Sequence, residues 1–201
     1  MTPEAFAAET GVSRETLTRF ERYAAFLTKW QQAINLVAPS TLKDIWGRHF
    51  LDCAQLMPHL NPGGPLVDLG SGGGFPGVVL ALLGAADVHL IEVDQRKCAF
   101  LRELNRELGL GMTVHESRIE ALEPWEAWSL TSRALAPLPK LLDWAAGFIG
   151  PGTVALFLKG EGAAVELTEA RKGWKMAAEC LRSRTSPTGV ILRLTQLERK
   201  T

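Results

Sequence analysis

The sequence predicts an α/β protein in which a mostly parallel, doubly wound sheet follows an N-terminal helical extension. Two observations lead to this prediction. Between residues 62 and 171, short apolar runs of strand length alternate with segments of helical pattern, which is typical of parallel strands joined by crossover helices. Before residue 62, by contrast, apolar residues recur at helical spacing. We therefore divide the chain into the extension, residues 1–61, and one compact unit, residues 62–201.

The extension carries clear helix signals. Thr2 is expected to cap a short helix that has Pro3 at its first position, and Gly11 ends it. Ser13 is expected to cap a longer helix over about residues 14–35. Its mostly apolar face is predicted from residues three or four apart: Leu17, Phe20, Ala24, Leu27, Gln31 and Ile34. Pro39 breaks the chain, and a further helical stretch is expected to reach about residue 60.

The compact unit is predicted to contain seven strands. Five short apolar runs form the parallel part: Leu66–Leu69, Val88–Ile91, Met112–His115, Leu130–Ser132 and Val154–Leu158. Helices are expected between them over about residues 75–83, 95–108, 138–147 and 162–171. A final pair, Met176–Leu181 and Val190–Leu197, is joined by a turn at Pro187–Gly189 and is expected to close one edge as an antiparallel pair.

Composition limits the location and the ligands of the protein. The chain has 22 basic and 22 acidic residues, so its net charge gives no general support for nucleic-acid binding, although a local basic face is compatible with it. Cys53, Cys98 and Cys180 are odd in number and far apart, which argues against a disulfide framework or a zinc site and favours packing roles in a reducing cytoplasm. No apolar run approaches the roughly 20 residues of a membrane span. We expect a cytoplasmic monomer without a metal.

A glycine-rich loop follows the first strand, where Val67–Gly77 reads VDLGSGGGFPG. The spacing from Gly72 matches the dinucleotide fingerprint G-x-G-x-x-G. Counted from Gly70, the first turn residue, however, that fingerprint would require a small residue where Phe75 stands. Asp68, at the end of the strand, would repel a pyrophosphate and suit a cationic ligand. The loop therefore favours S-adenosylmethionine, which carries a sulfonium and no phosphate.

Other strand ends supply the remaining cofactor candidates. Glu92 ends the second strand 22 positions after Gly70 and is expected to accept hydrogen bonds from ribose hydroxyls. Ile119 is expected to pack on the adenine, and Glu120 to contact its edge. Gly70 and Gly72 allow close backbone approach, and Phe75 is expected to lie against the cofactor. The alternative interpretation gives neither acid a ligand: Glu92 would be a solvated charge at a strand end, and Glu120 would be one of the acids that are favoured in a first helical turn. Together these features predict a Rossmann-like class I S-adenosylmethionine-dependent methyltransferase.

The loop after the fourth strand, Ser132–Pro137, indicates the methyl acceptor. It lacks the Asn/Asp-Pro-Pro-aromatic sequence used for exocyclic amines, and no cysteine is expected at the pocket for attack on cytosine, Cys98 being nearest. Arg133 is a poor base because it stays protonated. Guanine N7 needs no deprotonation, so Arg133 is expected to donate to O6 while N7 is aligned with the methyl group. The alternative is a structural ion pair.

Several motifs in fixed order resemble one family. They are Asn35-Leu36, Trp46–Asp52, Val67–Gly77, Glu116–Glu120, Ser132–Ala134 and Leu158–Gly160. Over about residues 20–197 this order resembles the bacterial small-subunit ribosomal RNA guanine-N7 methyltransferases called RsmG, or glucose-inhibited division protein B. The resemblance implies S-adenosylmethionine-dependent N7 methylation of one guanosine in 16S rRNA. It also implies cofactor-site roles for Gly70, Phe75, Ile119, Glu120 and Arg133.

Three further cations are candidates for the RNA side of the site. Arg48 and His49 are expected to fold over the pocket from the extension and contact RNA phosphate or the base, unless His49 and Asp52 form a bond on a helix surface. Lys159 ends the fifth strand and is expected to bind a phosphate. Because the chain has no net charge, a small ribosomal subunit or an assembly intermediate is the expected substrate rather than naked 16S rRNA. Rival interpretations are a methyltransferase for small molecules or proteins, an NAD-dependent oxidoreductase, and a non-catalytic module.

Overall fold

A seven-stranded sheet forms the centre of the protein in a computed structural model that describes residues 1–200. The strands lie in the order β3-β2-β1-β4-β5-β7-β6. Their bounds are β1 Leu66–Leu69, β2 Val88–Glu92, β3 Thr113–Glu116, β4 Ala127–Arg133, β5 Ile149–Lys159, β6 Trp174–Arg182 and β7 Val190–Arg199. Strands β1 to β5 pair in parallel, whereas β7 is antiparallel to both β5 and β6. The predicted sheet, including the antiparallel pair at one edge, is confirmed.

The strand order reverses its direction at β1. From β1 the chain continues outward to β2 and β3, and then returns to place β4 on the other side of β1. In doubly wound sheets a ligand crevice opens at such a reversal, beyond the carboxyl ends of the strands. The fold therefore places the glycine loop after β1 and the Arg133 loop after β4 at the same edge of the sheet.

Within residues 1–200, seven α-helices surround the sheet. They are α1 Pro3–Thr10, α2 Arg14–Gln31, α3 Asp52–Ala54, α4 Gly77–Leu82, α5 Gln95–Leu108, α6 Leu138–Ala145 and α7 Ala163–Gly173. Both predicted caps form, because Thr2 Oγ1 accepts from the Ala5 N–H at 3.2 Å and Ser13 Oγ accepts from the Thr16 N–H at 3.1 Å.

The prediction for the end of the extension is wrong in two details. Helix α2 stops at Gln31 rather than near residue 35, because the Gln31 side chain binds the Leu36 and Val37 backbone and turns the chain. The stretch before residue 60 is not one helix. It consists of a 3₁₀ turn at Pro39–Asp44, a π-helical turn at Trp46–Leu51, α3, and a second 3₁₀ turn at Met57–His59.

Two hydrophobic clusters lie on the two faces of the sheet, as alternate residues of β5 show. Leu156 belongs to the cluster that contains the extension, α4 and α5, whereas Phe157 belongs to the cluster under α6 and α7. The aromatic residues Phe6, Phe20 and Phe50 of the extension are fully buried. The extension therefore shares one continuous core with the sheet.

The cysteines differ from the prediction at one position. Cys53 and Cys98 are buried packing residues, but Cys180 is exposed, so a packing role for it is wrong. Its strand β6 lies at the edge of the sheet, where alternate side chains face solvent. Within residues 1–200, none of the helices combines the length and apolarity needed to cross a membrane.

Candidate active site

A cleft of about 1110 Å³ opens at the carboxyl ends of β1, β2 and β4. The glycine loop, the ends of β2 and β4, the π-helical turn of the extension and the β6–β7 loop form its walls. It brings together these predicted site residues: Gly70, Gly72, Phe75, Glu92, Ile119, Glu120, Arg133, Arg48, His49 and Lys159. Asp68 is the predicted residue that does not line it.

The glycine loop forms a floor of bare backbone. Gly72 has a φ of +54°, and a Cβ built there would project into open space, since its nearest neighbour is the Gly70 carbonyl oxygen at 3.9 Å. At Gly74, with a φ of +93°, a Cβ would come within 2.6 Å of the Tyr23 hydroxyl. Glycine is therefore required here both by the backbone conformation and by close packing from below.

Asp68 lies beneath the loop rather than in the cleft. Its side chain is fully buried, Oδ2 accepts from the Gly77 N–H at 3.1 Å, and Oδ1 accepts from the Thr131 hydroxyl at 2.9 Å. Burial raises its pKa to about 6, against the opposing effect of these hydrogen bonds. Because Asp68 does not line the cleft, this position gives no support to the direct ligand contact that the sequence predicts. Instead, the carboxylate accepts a hydrogen bond from the first N–H group of α4.

Glu92 joins two loops at the floor of the cleft. Its Oε2 accepts from the Gly72 N–H at 2.9 Å, and its Oε1 accepts from the backbone N–H groups of Val93 and Asp94 at 2.8 and 2.9 Å. Ile119, in a 3₁₀ turn after β3, is buried, whereas Glu120 is exposed on the rim. A carboxylate has about four lone-pair sites, so Glu92 retains capacity for a ligand.

Phe75 connects the glycine loop to the extension. The Tyr23 ring stacks on it with centroids 5.4 Å apart, and the Arg133 guanidinium lies 4.7 Å from its centroid. Phe75 is only 3% exposed. Tyr23 also donates to the Gly73 carbonyl oxygen at 2.5 Å. The Phe75 ring is thus largely covered by the protein's own side chains, although the residue lines the cleft, and its contact with the cofactor stays a prediction.

Arg133 and His49 form the centre of the opposite wall. Arg133 donates to His49 Nδ1 at 2.8 Å and to the Arg48 carbonyl oxygen at 3.2 Å. Because arginine only donates, His49 Nδ1 must accept, and the ring proton lies on Nε2, which donates to Thr41 Oγ1 at 2.7 Å. Burial, followed by the charges of Arg133 and Arg48, lowers the His49 pKa to about 3. His49 is therefore a neutral acceptor with both nitrogens engaged.

Asp52 anchors the β6–β7 loop beside Arg133. Its Oδ1 accepts from the Thr185 hydroxyl at 2.5 Å and from the Gln55 amide at 3.0 Å. Its Oδ2 lies 3.8 Å from the Arg133 guanidinium. The Asp52 backbone N–H donates to the His49 carbonyl oxygen, but among residues 1–200 no hydrogen bond joins their side chains, since both His49 ring nitrogens bind Thr41 and Arg133. The alternative of a helix-surface side-chain pair between them is therefore wrong.

Lys159 is paired within the protein. Its ammonium lies 2.8 Å from Glu166 Oε2 and donates to the Ala136 carbonyl oxygen at 2.6 Å, while the same Glu166 oxygen accepts from the Leu138 N–H. This arrangement holds the loop after β4 against α7. A phosphate would have to compete with Glu166, so the predicted phosphate contact remains a prediction.

Sequence reasoning missed three contributors to the site. Tyr23 carried a signal, since it is the single tyrosine of the chain and continues the apolar stripe of α2. The segment Ser183–Gly189, which lines the cleft, is rich in Ser and Thr but resembles an ordinary turn. Thr41 had no signal at all. Within the described residues, no group of three or more His, Cys, Asp or Glu side chains is arranged to hold a metal ion.

Comparison with known proteins identifies the family. The family model described as GidB, rRNA small subunit methyltransferase G, matches residues 16–188. The ribosomal RNA small subunit methyltransferase G of Paramagnetospirillum magneticum is 52% identical over 200 residues, which cover 99% of this chain and 98% of the relative. This chain belongs to the rRNA small subunit methyltransferase G family. The family resemblance predicted from the sequence motifs is confirmed.

Solved structures of other proteins show the fold of this chain. An S-adenosylmethionine-dependent methyltransferase from Aquifex aeolicus matches 85% of this chain and 97% of its own, with a TM-score of 0.60 and 14% identity. A mutant of MtNAS, solved in complex with S-adenosylmethionine, matches 97% of this chain and 84% of its own, with a TM-score of 0.61 and 16% identity. The predicted class I methyltransferase fold is confirmed.

Proposed function

We propose that this protein transfers a methyl group from S-adenosylmethionine to N7 of a guanosine in 16S ribosomal RNA. Membership of the methyltransferase G family supports the reaction and its substrate class. The choice of N7 as the acceptor atom rests on the hydrogen bonding of the His49 ring. This imidazole lies beside Arg133, but both of its nitrogens are engaged, so it does not serve as a base. A wall whose imidazole is not free to act as a base fits a methyl acceptor, such as guanine N7, that needs no deprotonation.

The residues of the cleft fit S-adenosylmethionine better than a dinucleotide. In a dinucleotide site the pyrophosphate binds the N–H groups that open the helix after the glycine loop. Here the buried carboxylate of Asp68 already accepts from the Gly77 N–H. A pyrophosphate would meet a negative charge and a hydrogen-bond donor that is in use. We place the methionine part of the cofactor over the bare backbone at Gly72 and beside Gly70, which the Leu135 side chain approaches closely.

We assign the cofactor contacts accordingly. Glu92 would accept from the ribose hydroxyls through the lone pairs that its three backbone partners leave free. Ile119 would pack on the adenine, with Glu120 at its edge. When bound, the cofactor supplies an electrophilic methyl group on a sulfonium sulfur, and S-adenosylhomocysteine and N7-methylguanosine are the products.

The protein's contribution to the chemistry is alignment. Guanine N7 has an in-plane lone pair, and its methylation releases no proton from N7. Arg133 donates to the neighbouring O6, which leaves N7 free and directs it toward the floor of the cleft. His49 and the Arg48 carbonyl hold the guanidinium in place, and the hydrogen bond from His49 to Thr41 fixes the tautomer. Arg48, exposed on the rim, is assigned to an RNA phosphate, and Lys159 is assigned the same role only after release from Glu166.

The cellular context is part of the proposal. A chain without net charge draws little affinity from phosphates alone. We therefore assign the protein to a small ribosomal subunit or an assembly intermediate, on which it acts as a monomer in the cytoplasm.

The test is methyl transfer with labelled S-adenosylmethionine. Small subunits and naked 16S rRNA are prepared from cells that lack the enzyme, and borohydride and aniline then cleave RNA at N7-methylguanine. We expect label in the subunit RNA and cleavage at a single guanosine. Label without cleavage would overturn the N7 assignment, and an unlabelled RNA would overturn the RNA substrate. In parallel, S-adenosylhomocysteine is expected to raise the melting temperature and NAD to leave it unchanged.

A further inference from the structure

Asp52 presents an acceptor to the cleft that the protein itself does not use. The carboxylate lines the cleft, and its side chain is 18% exposed. Oδ1 is occupied by the Thr185 hydroxyl and the Gln55 amide, with the Ser183 hydroxyl farther away at 3.4 Å. Within residues 1–200, no donor lies within hydrogen-bond distance of Oδ2, and its nearest cation is Arg133 at 3.8 Å. The bonds to Oδ1 thus hold the carboxylate while Oδ2 keeps free lone pairs.

The other acids of the cleft differ from Asp52 in this respect. Glu92 accepts from three backbone N–H groups, and Glu166 is bound to Lys159 and the Leu138 N–H. Glu120 is exposed on the rim, and no hydrogen bond within residues 1–200 fixes its carboxylate. Asp52 is therefore the cleft carboxylate that combines a fixed position, a free oxygen and a neighbouring guanidinium.

Together, Arg133 and Asp52 offer a donor and an acceptor side by side. Guanine presents the complementary order along one edge, with the O6 acceptor followed by the N1–H and N2 amino donors. Adenine presents the reverse at the first two positions, an amino donor and then an acceptor. A buried polar group that is left unpaired by the wrong base costs binding energy, so such a pair discriminates between the bases.

We propose that Asp52 is a specificity-determining residue whose Oδ2 atom accepts hydrogen bonds from the N1–H and the N2 amino group of the target guanine. The proposal rests on the proposed function, because it places the base with O6 at Arg133. Around the ring, N7 lies on one side of O6 and N1 on the other. Contact of Asp52 with the N1 and N2 edge therefore leaves N7 free to face the methyl group. The carboxylate also places a negative charge near the ring on which positive charge develops.

The experiment is a comparison of two bases in two proteins. Small subunits are reconstituted with ligated 16S rRNA that carries guanosine or inosine at the position found by aniline cleavage. Inosine keeps O6, N1–H and N7 but lacks the N2 amino group. Wild-type protein is expected to methylate the guanosine substrate about 10-fold more efficiently in kcat/KM than the inosine substrate. Asp52→Asn is expected to lose most of this preference, to a ratio within about 2-fold of unity, because an amide can turn its own N–H toward the base.

Thr185→Val is the matched control. It removes a donor from Oδ1 but leaves the carboxylate and its free oxygen, so the guanosine preference is expected to remain. Asp52→Glu, which retains the charge on a longer arm, serves as a second variant if Asp52→Asn does not fold, and is expected to weaken the preference. All variants are expected to bind S-adenosylhomocysteine within about 2-fold of wild type, since Asp52 lies outside the glycine loop.

The outcomes separate the two proposals. If wild type transfers no methyl group to N7 of the guanosine substrate, the proposed function fails. If wild type is active and the guanosine preference survives unchanged in Asp52→Asn, the function stands and the role of Asp52 is overturned. If Asp52→Asn loses activity on both substrates while the guanosine-to-inosine ratio of kcat/KM is unchanged, the role of Asp52 is also overturned. The loss of a merely structural role lowers kcat/KM for both substrates together.

Discussion

The two halves of the cleft are built in different ways. The half that we assign to the cofactor, formed by the glycine loop and the end of β2, is here called the cofactor half. It consists of backbone and of short contacts among the strand ends, as in the bond from Gly72 to Glu92. The half that we assign to the methyl acceptor, formed around Arg133, His49 and Asp52, is here called the acceptor half, and it consists of side chains from distant segments. Arg133 meets His49 across 84 residues, and Asp52 meets Thr185 across 133. The first half is specified by one loop and one strand end, whereas the second exists only when the extension, β4 and the β6–β7 loop have come together.

This difference suggests that the halves respond differently to substitution. A change in the acceptor half is expected to alter transfer to RNA while the affinity for S-adenosylhomocysteine is retained. A change beneath the glycine loop is expected to alter folding and cofactor affinity together, because the loop is packed against the core. The following predictions test this separation, beginning with the largest effect.

Arg133→Ala is expected to lower kcat/KM for the ribosomal substrate by about 100-fold, since the guanine loses the donor that aligns N7. S-adenosylhomocysteine affinity, measured by calorimetry, is expected to change much less. Arg14→Ala, which removes an exposed arginine at the start of α2, is the control and is expected to be neutral. A loss of cofactor affinity as large as the loss in kcat/KM would show that Arg133 belongs to the cofactor half.

Gly74→Ala and Gly84→Ala form a matched pair for the cofactor half. Both glycines have a positive φ, but a Cβ meets the Tyr23 hydroxyl at Gly74 and nothing within 4 Å at Gly84. Gly84→Ala is expected to cost about 1 kcal/mol in the free energy of unfolding, from backbone strain alone. Gly74→Ala is expected to cost about 2 kcal/mol more and to weaken S-adenosylhomocysteine binding, because it overpacks the loop. Urea denaturation and calorimetry measure both; equal effects of the two substitutions would contradict the packing argument.

Tyr23→Phe tests whether the extension supports the glycine loop through a hydrogen bond. The substitution keeps the ring stacked on Phe75 but leaves the Gly73 carbonyl oxygen without its donor. We expect a loss of about 1 kcal/mol in the free energy of unfolding, and a weaker affinity for S-adenosylhomocysteine. Thr18→Val, on the exposed face of the same helix, is the control. If both variants unfold at the same urea concentration, packing alone supports the loop.

The last prediction concerns the pH dependence at His49. Its pKa in the folded protein is lowered from 6.5 to about 3 by burial and by the neighbouring arginines. The group therefore contributes stability that is fully present above pH 6.5 and is lost as the pH falls toward 3. Nitrogen-15 imidazole spectra are expected to show the neutral Nε2–H tautomer down to about pH 5. A ring that titrates near its ordinary value would contradict the bond from Arg133.

Much of the cofactor half was predictable because its determinants are local. The strand that ends at Leu69, the glycines after it and the acid at Glu92 follow one another at spacings set by a single β-α-β unit. The alternation of strands and helices predicted the parallel sheet for the same reason. Asp68 was predicted to face the ligand, but it is buried beneath the loop and bonded to Thr131 in a neighbouring strand, a contact that the sequence pattern does not show.

By itself, the sequence determined the fold class, the two caps of the extension, the glycine loop and the family, because these depend on periodicity, capping and short motifs. Only the tertiary structure decided which partners each charged side chain has. Lys159 meets Glu166, Arg133 meets a neutral His49, and Asp52 divides its two oxygens between the β6–β7 loop and the cleft. The physical reason is that the pairing and the pKa of a side chain depend on neighbours that the fold brings from distant parts of the chain.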